Sequence, residues 1–197
     1  MPVGAVIFDW DGVVIDSSSL HERSWEALAS EIGKTLPADH FKRGFGKRKE
    51  ELYRIMGKEE GIPILDGTRD FLRSLRAAGI PCVIGTSTER MNVELAFEQL
   101  DLASFFLGAV CSEDVSRGKP DPEVFLKAAN LAGVDPQNCI VLEDSAHGII
   151  AAIKGGMKGL GLATTRDKKD LIEVGADIVI NNPSELSIGL LESLFQS

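Results

Sequence analysis

The sequence predicts a doubly wound α/β fold on one parallel sheet, with a small, abbreviated α-helical cap inserted after the first strand. Three observations carry that reading. Short apolar runs that end in polar residues or glycine recur at 4–8, 81–85, 109–111, 139–142, 159–162 and 177–180. Their unbroken hydrophobicity suits strands buried on both faces. Helical patterns at 67–78, 89–100, 121–132 and 145–154 separate most of these runs, each broken by glycine or proline before the next strand. The stretch 17–64 interrupts the alternation with two helical patterns and no convincing strand. Alternating strand and helix build a parallel sheet with helices on both faces, and the interruption reads as an insertion.

Within the insertion, a helix over 20–32 places Trp25, Leu28, Ala29 and Ile32 at helical spacing, and a second over 49–60 carries Leu52, Tyr53 and Met56. These residues read as packing rather than ligand contacts. The chain thus divides into a core of 1–16 and 64–197 and a cap of 17–63. No internal repeat or low-complexity segment appears.

With 197 residues, 44% hydrophobic and 26% charged, the chain has enough material for one buried core with a small appendage and reads as a water-soluble protein. A net charge of -9 argues against nucleic acid or an anionic membrane as partner, because phosphate-backbone binding needs a basic footprint. An anionic substrate then requires positive charge supplied locally. Met1 leads directly into an apolar strand without a secretion signal, so the cytoplasm is the expected compartment. A monomer is expected, with a homodimer as the alternative. Cys82, Cys111 and Cys139 stand singly in apolar runs and read as reduced core residues.

Ligands of open α/β sheets bind outside the carboxyl ends of the strands. Those ends carry Asp9 and Asp11, then Thr86, Ser87 and Thr88, then Lys119 after a short loop, then Glu143 and Asp144. Four carboxylates at one edge repel one another unless a cation sits among them. Mg2+ suits best, because it binds through one or two carboxylates and keeps positions for water and substrate phosphate. Taken singly, the residues also fit plainer roles. Thr86 and Ser87 fit as caps of the helix near Glu89, Lys119 fits a surface turn, and Asp144 and Ser145 fit a helix cap.

In order along the chain, Phe8-Asp9-Trp10-Asp11-Gly12-Val13-Val14-Ile15-Asp16, Gly85-Thr86-Ser87, Gly118-Lys119-Pro120-Asp121-Pro122 and Val141-Leu142-Glu143-Asp144-Ser145 resemble the four motifs of the haloacid dehalogenase-like superfamily. The sugar-phosphatase and β-phosphoglucomutase branch, with a helical cap on a Rossmann-like core, is the most similar. The resemblance implies that Asp9 is the nucleophile that forms an aspartyl-phosphate, and that Asp11 is the general acid and base. It further implies that Thr86, with Ser87 beside it, meets the phosphate and that Lys119 pairs with Asp9 and the phosphate. Asp144, a carboxylate oxygen of Asp9 and the main-chain carbonyl of Asp11 would hold magnesium, with Glu143 as a second acidic contact. His21 and His147 are ambiguous, with helix packing the plain alternative. In the most similar branch, a histidine at the hinge into the cap lies close to the active site, which favours His21.

The basic run Lys42-Arg43-Gly44-Phe45-Gly46-Lys47-Arg48-Lys49 is read either as a solvated helix end or as substrate recognition. In similar caps the turn matched by 44–47 faces the catalytic strand ends, which makes Lys47 and Arg48 the candidate cations. Such caps usually continue with further helices, whereas this chain passes at once into Lys49-Glu50-Glu51-Leu52. Either the cap is reduced, or a segment between Arg48 and Lys49 is absent from the chain. The expected function is hydrolysis of a small phosphate monoester, most plausibly a sugar phosphate. The alternative is a phosphomutase acting on hexose phosphates, which needs a cap that closes against water. Dehalogenation is disfavoured because halide leaves without a proton donor or metal. Phosphonate cleavage is disfavoured because no buried cap lysine is identifiable.

Overall fold

The computed structural model describes residues 3–33 and 45–196. Six strands, β1 (Ala5–Phe8), β2 (Cys82–Gly85), β3 (Ala109–Val110), β4 (Cys139–Glu143), β5 (Lys158–Leu162) and β6 (Ile178–Ile180), pair in the order β3-β2-β1-β4-β5-β6. Every pairing is parallel. The six expected runs all form strands. Each run moves by one residue at one end because pairing with neighbours, rather than apolar content, sets where a ladder stops.

β1 shows why continuous hydrophobicity marked the strands. Val6 and Phe8 pack into one apolar cluster while Ala5 and Ile7 pack into the other, so alternate side chains fill both faces of the sheet. The first cluster includes Phe71, Leu72 and Leu75 of α3 (Thr68–Ala77) and Val93, Leu95 and Ala96 of α4 (Arg90–Leu100). The second includes Val124, Phe125, Ala128 and Ala129 of α5 (Glu123–Ala132) and Ala151 and Ala152 of α6 (Ala146–Lys154). α7 (Lys168–Glu173) and α8 (Ile188–Ser193) complete the helices that follow.

Between β1 and α3 lie α1 (Ser18–Glu31) and α2 (Phe45–Glu60), which pack on each other. The chain enters and leaves this pair at one place: Asp16 N donates to Pro63 O at 2.9 Å, and Leu65 N to Val14 O at 3.0 Å. α1 buries Leu20, Ser24 and Leu28, while Trp25, Ala29 and Ile32 of the expected apolar set are half-buried. α2 starts four residues before the expected Lys49, so Lys47 and Arg48 stand on a helix rather than in a turn. Lys42, Arg43 and Gly44 of the basic run lie outside the described residues. The helix runs unbroken through Arg48 and Lys49. Among the described residues, no helix is long and apolar enough to cross a membrane.

Candidate active site

β1 and β4 are neighbours at the centre of the sheet, at the point where the strand order reverses. The crevice beyond their carboxyl ends is where such sheets bind ligands. Asp9 follows β1, still held by its N–H on Leu142 O at 2.9 Å, and Glu143 and Asp144 end and follow β4. Ligand atoms of Asp9, Glu143 and Asp144 all lie within 4.8 Å of one another, and all three residues are buried.

Lys119 spans this cluster. Its Nζ donates to Asp9 Oδ1 at 2.9 Å and to Glu143 Oε1 at 2.6 Å, with the ammonium 4.7 Å from the centre of the Phe125 ring. Glu143 Oε2 accepts from Ser145 N at 2.7 Å, so the protein engages both of its oxygens. Burial works against the charge on Lys119, but Asp9 and Glu143 outweigh it and hold the ammonium above its ordinary value. Three carboxylates against one ammonium leave the cluster short of positive charge. Burial accordingly pushes Asp9 up to about 8, with Glu143 and Asp144 adding to the rise and Lys119 opposing it. Asp144 is pushed up to about 6 by burial and Glu143. Buried, oxygen-only and under-neutralised, this donor set fits a hard divalent cation.

Asp11 stands in a different environment. It accepts from the hydroxyls of Ser17 and Thr88, and His21 Nε2 lies 3.4 Å from its Oδ1. Burial opposes ionisation of Asp11, yet His21, Ser17 and Thr88 hold its carboxyl below the ordinary value. Two carboxylates two residues apart are thus driven in opposite directions, the pattern by which sites assign different proton states to neighbouring acids. Thr86 is buried at the end of β2 and accepts from Thr88 N at 3.1 Å. Ser87 is exposed, as is His147 on α6.

The cap cations depart from expectation. Arg48 turns outward, with Nη2 2.7 Å from Glu31 Oε1 and Nη1 2.9 Å from Glu51 Oε2. Lys47 is exposed. The inward cation is Lys49, only 4% exposed, whose Nζ meets His21 Nδ1 and lies 3.0 Å from Glu50 Oε1. The His21 ring stacks on Tyr53 at 4.6 Å, and the Lys49 ammonium lies 5.6 Å from the Tyr53 ring. An ammonium only donates, so His21 Nδ1 must accept, which places the ring proton on Nε2, facing Asp11. A chain of contacts therefore joins the cap to Asp11. The expectation that the cap holds no buried lysine is overturned by Lys49, and with it that argument against phosphonate cleavage. Lys49 lies four residues before Tyr53 and three before Leu52, on the apolar face of α2, a spacing visible in the sequence. Ser17 had no comparable signal, and Thr88 was visible only as a strand-end hydroxyl, because its bond to Asp11 joins two distant chain segments.

A family model described as haloacid dehalogenase-like hydrolase matches residues 3–156. The chain belongs to the haloacid dehalogenase-like hydrolase family. Among relatives of this haloacid dehalogenase-like chain, a chloroplastic 5-amino-6-(5-phospho-D-ribitylamino)uracil phosphatase of Arabidopsis thaliana is 34% identical over 216 aligned positions. That match covers 95% of this chain and 57% of the plant protein, so the chain spans little more than half of that relative's length. A validoxylamine A 7'-phosphate phosphatase of Streptomyces hygroscopicus subsp. limoneus is 30% identical, with 91% and 94% of the two chains covered. A β-phosphoglucomutase of Bacillus subtilis is 27% identical over 95% of this chain and 93% of its own. A solved family IA, variant 3 haloacid dehalogenase-like hydrolase of Entamoeba histolytica superposes with a TM-score of 0.88 at 27% identity, covering 100% of both chains. The 216 positions of the plant alignment exceed the 197 residues of the chain, so that relative carries stretches missing here.

Proposed function

We propose that this hydrolase is a magnesium-dependent phosphatase acting on a small phosphate monoester of the sugar-phosphate class through an aspartyl-phosphate on Asp9. The observation that carries the reading is Lys119, bonded at once to Asp9 and Glu143 in a buried acidic cluster. The phosphatase relatives from Arabidopsis and Streptomyces support the substrate class.

In the first half-reaction an Asp9 oxygen forms a bond to phosphorus while the bond to the ester oxygen breaks, and Asp11 gives that oxygen its proton. In the second, a water oxygen attacks the aspartyl-phosphate, Asp11 takes the water's proton, and the bond between Asp9 and phosphorus breaks. The donors around Asp11 in the structure favour its ionised form, the state required for the second half. Asp9, Asp144 and the main-chain carbonyl of Asp11 would hold the magnesium ion, with Glu143 anchoring Lys119 beside it. When bound, the ion offsets the repulsion between carboxylate and phosphate. Lys119 offsets more of the same charge. Thr86 keeps its hydroxyl hydrogen for a phosphate oxygen, with Ser87 at the mouth. The pair α1–α2, over 17–63, acts as the cap, and Lys49 rather than Lys47 or Arg48 supplies its inward charge.

The test is phosphate release from a panel of phosphate esters with and without magnesium, using the native chain and Asp9→Asn. Release is expected only with magnesium and is expected to fall at least about 10⁴-fold in the variant. Undiminished turnover by Asp9→Asn would remove the nucleophile assignment. The second reading, a phosphomutase, draws on the β-phosphoglucomutase relative and on the cap-to-Asp11 contacts. Hexose 1-phosphate with a trace of sugar bisphosphate separates the two, giving free phosphate from a phosphatase and the 6-phosphate from a mutase.

A further inference from the structure

A fifth strand end reaches the acidic site, although none of the four motifs lies on it. Ala163, following β5, donates its N–H to Ile180 O at 2.9 Å, which fixes where the chain leaves the sheet. From there Thr164 Oγ1 donates to the carbonyl of Gly12, and Thr165 Oγ1 donates to Asp144 Oδ2. Gly12 completes the contact. Its φ is +75°, and a Cβ added there would stand 2.4 Å from Asp144 Oδ2 and 2.9 Å from Thr165 Cγ2. The turn after Asp11, the side chain of Asp144 and the two threonines are therefore one packed unit.

We propose that Thr164 and Thr165 are positioning residues for the divalent ion, a proposal that rests on the magnesium reading above. A carboxylate with both oxygens unengaged rotates, and ordering it costs free energy when an ion with strict octahedral demands arrives. Thr165 engages Oδ2 on the side walled by Gly12 and so holds the Asp144 carboxylate in one orientation. Thr164 fixes the Gly12 carbonyl and with it the turn that presents the main-chain carbonyl of Asp11. Each threonine would act through a group that holds the ion rather than as a ligand itself. Groups that orient metal ligands in this way typically change metal affinity about 10- to 100-fold. Thr165 is open to solvent, so the low end of that range applies.

The experiment is calorimetric titration of magnesium chloride into the metal-free full chain without substrate, with thermal unfolding run on each variant to confirm folding. Thr165→Val, which keeps the shape and removes the hydroxyl, is expected to weaken binding about tenfold. Thr165→Ser is expected to stay within about twofold of the native chain, and the double variant Thr164→Val/Thr165→Val to bind more weakly than Thr165→Val alone. Asp144→Asn serves as the control that loses the site. Native-like binding by Thr165→Val, or equal loss in the serine and valine variants, overturns the role of the hydroxyl while leaving the phosphatase reading standing. A native chain that binds no magnesium overturns the magnesium reading, and this proposal with it.

Discussion

Glu143 reaches Lys119 from beside α6 because Gly148 leaves room, since a Cβ there would stand 1.9 Å from Glu143 Cδ. Gly148→Ala should therefore force Glu143 aside, lower the unfolding free energy by about 1–3 kcal/mol, and reduce activity by loosening Lys119. A urea midpoint equal to that of the native chain would contradict the packing. The strand-end placement of Asp9 and Asp11 after β1, Lys119 after β3 and Asp144 after β4 was legible in the sequence, because the apolar runs marked where the strands stop. Gly148 was not legible, because a glycine in a helix reads as a weak helix former until its neighbour across the turn is known. Ser17 was not foreseen and Thr88 was foreseen only as a strand-end hydroxyl, because the partner of both, Asp11, could not be read from their positions along the chain.

At the scale of elements, α2 decides what the cap presents to the site, and it is fastened to the core helix α4. Asn92 Nδ2 donates to Glu50 Oε2 at 2.6 Å, Arg54 Nη1 donates to Asn92 Oδ1 at 2.8 Å, and Gln99 Nε2 donates to Gly57 O at 2.8 Å. Glu50 also pairs with Lys49, so the α2–α4 contact continues through Lys49 and His21 to Asp11. A hydrogen bond involving a charged group contributes about 1.5–3 kcal/mol, so Lys49→Met is expected to lower kcat/KM about tenfold. Arg48→Ala removes only exposed pairs and is expected to leave kcat/KM within about twofold. Steady-state kinetics on the two variants check the pair, and a larger loss in Arg48→Ala would restore the outward cation as the one that matters. The basic run was visible in the sequence, but three consecutive cations on a helix point in three directions. Which one faced inward depended on the register of α2, which begins at Phe45 rather than Lys49.

For the whole molecule, the charge imbalance at the site couples metal, protons and stability. In the metal-free chain Asp9 and Asp144 are raised to about 8 and about 6 from an ordinary 3.8, so across that interval the folded state holds protons that the unfolded state has released. The stability they contribute is complete below about pH 4 and is lost as pH rises through their folded values. Asp11, shifted downward, contributes stability that is fully present above its ordinary value of 3.8 and is lost only as pH falls below it. On the proposed reading magnesium would take the place of those protons, so its stabilising effect should grow toward pH 8. Urea midpoints at about pH 5 and about pH 8, with magnesium or with chelator, check this. Stability of the metal-free chain that climbs over the same range would contradict it. The order of the motifs along the chain was enough to foresee this sheet, because alternating strands and helices admit few topologies. The proton balance was not foreseeable from order, because it depends on how deeply each acid is buried. Whether Asp9 carries the phosphoryl group is read by quenching the chain in acid during turnover of a phosphate ester with magnesium and locating the label by peptide mass. Phosphate is expected on Asp9 in the native chain and none in Asp9→Asn, whereas a label on another residue, or sustained turnover in the variant, would refute Asp9 as the nucleophile.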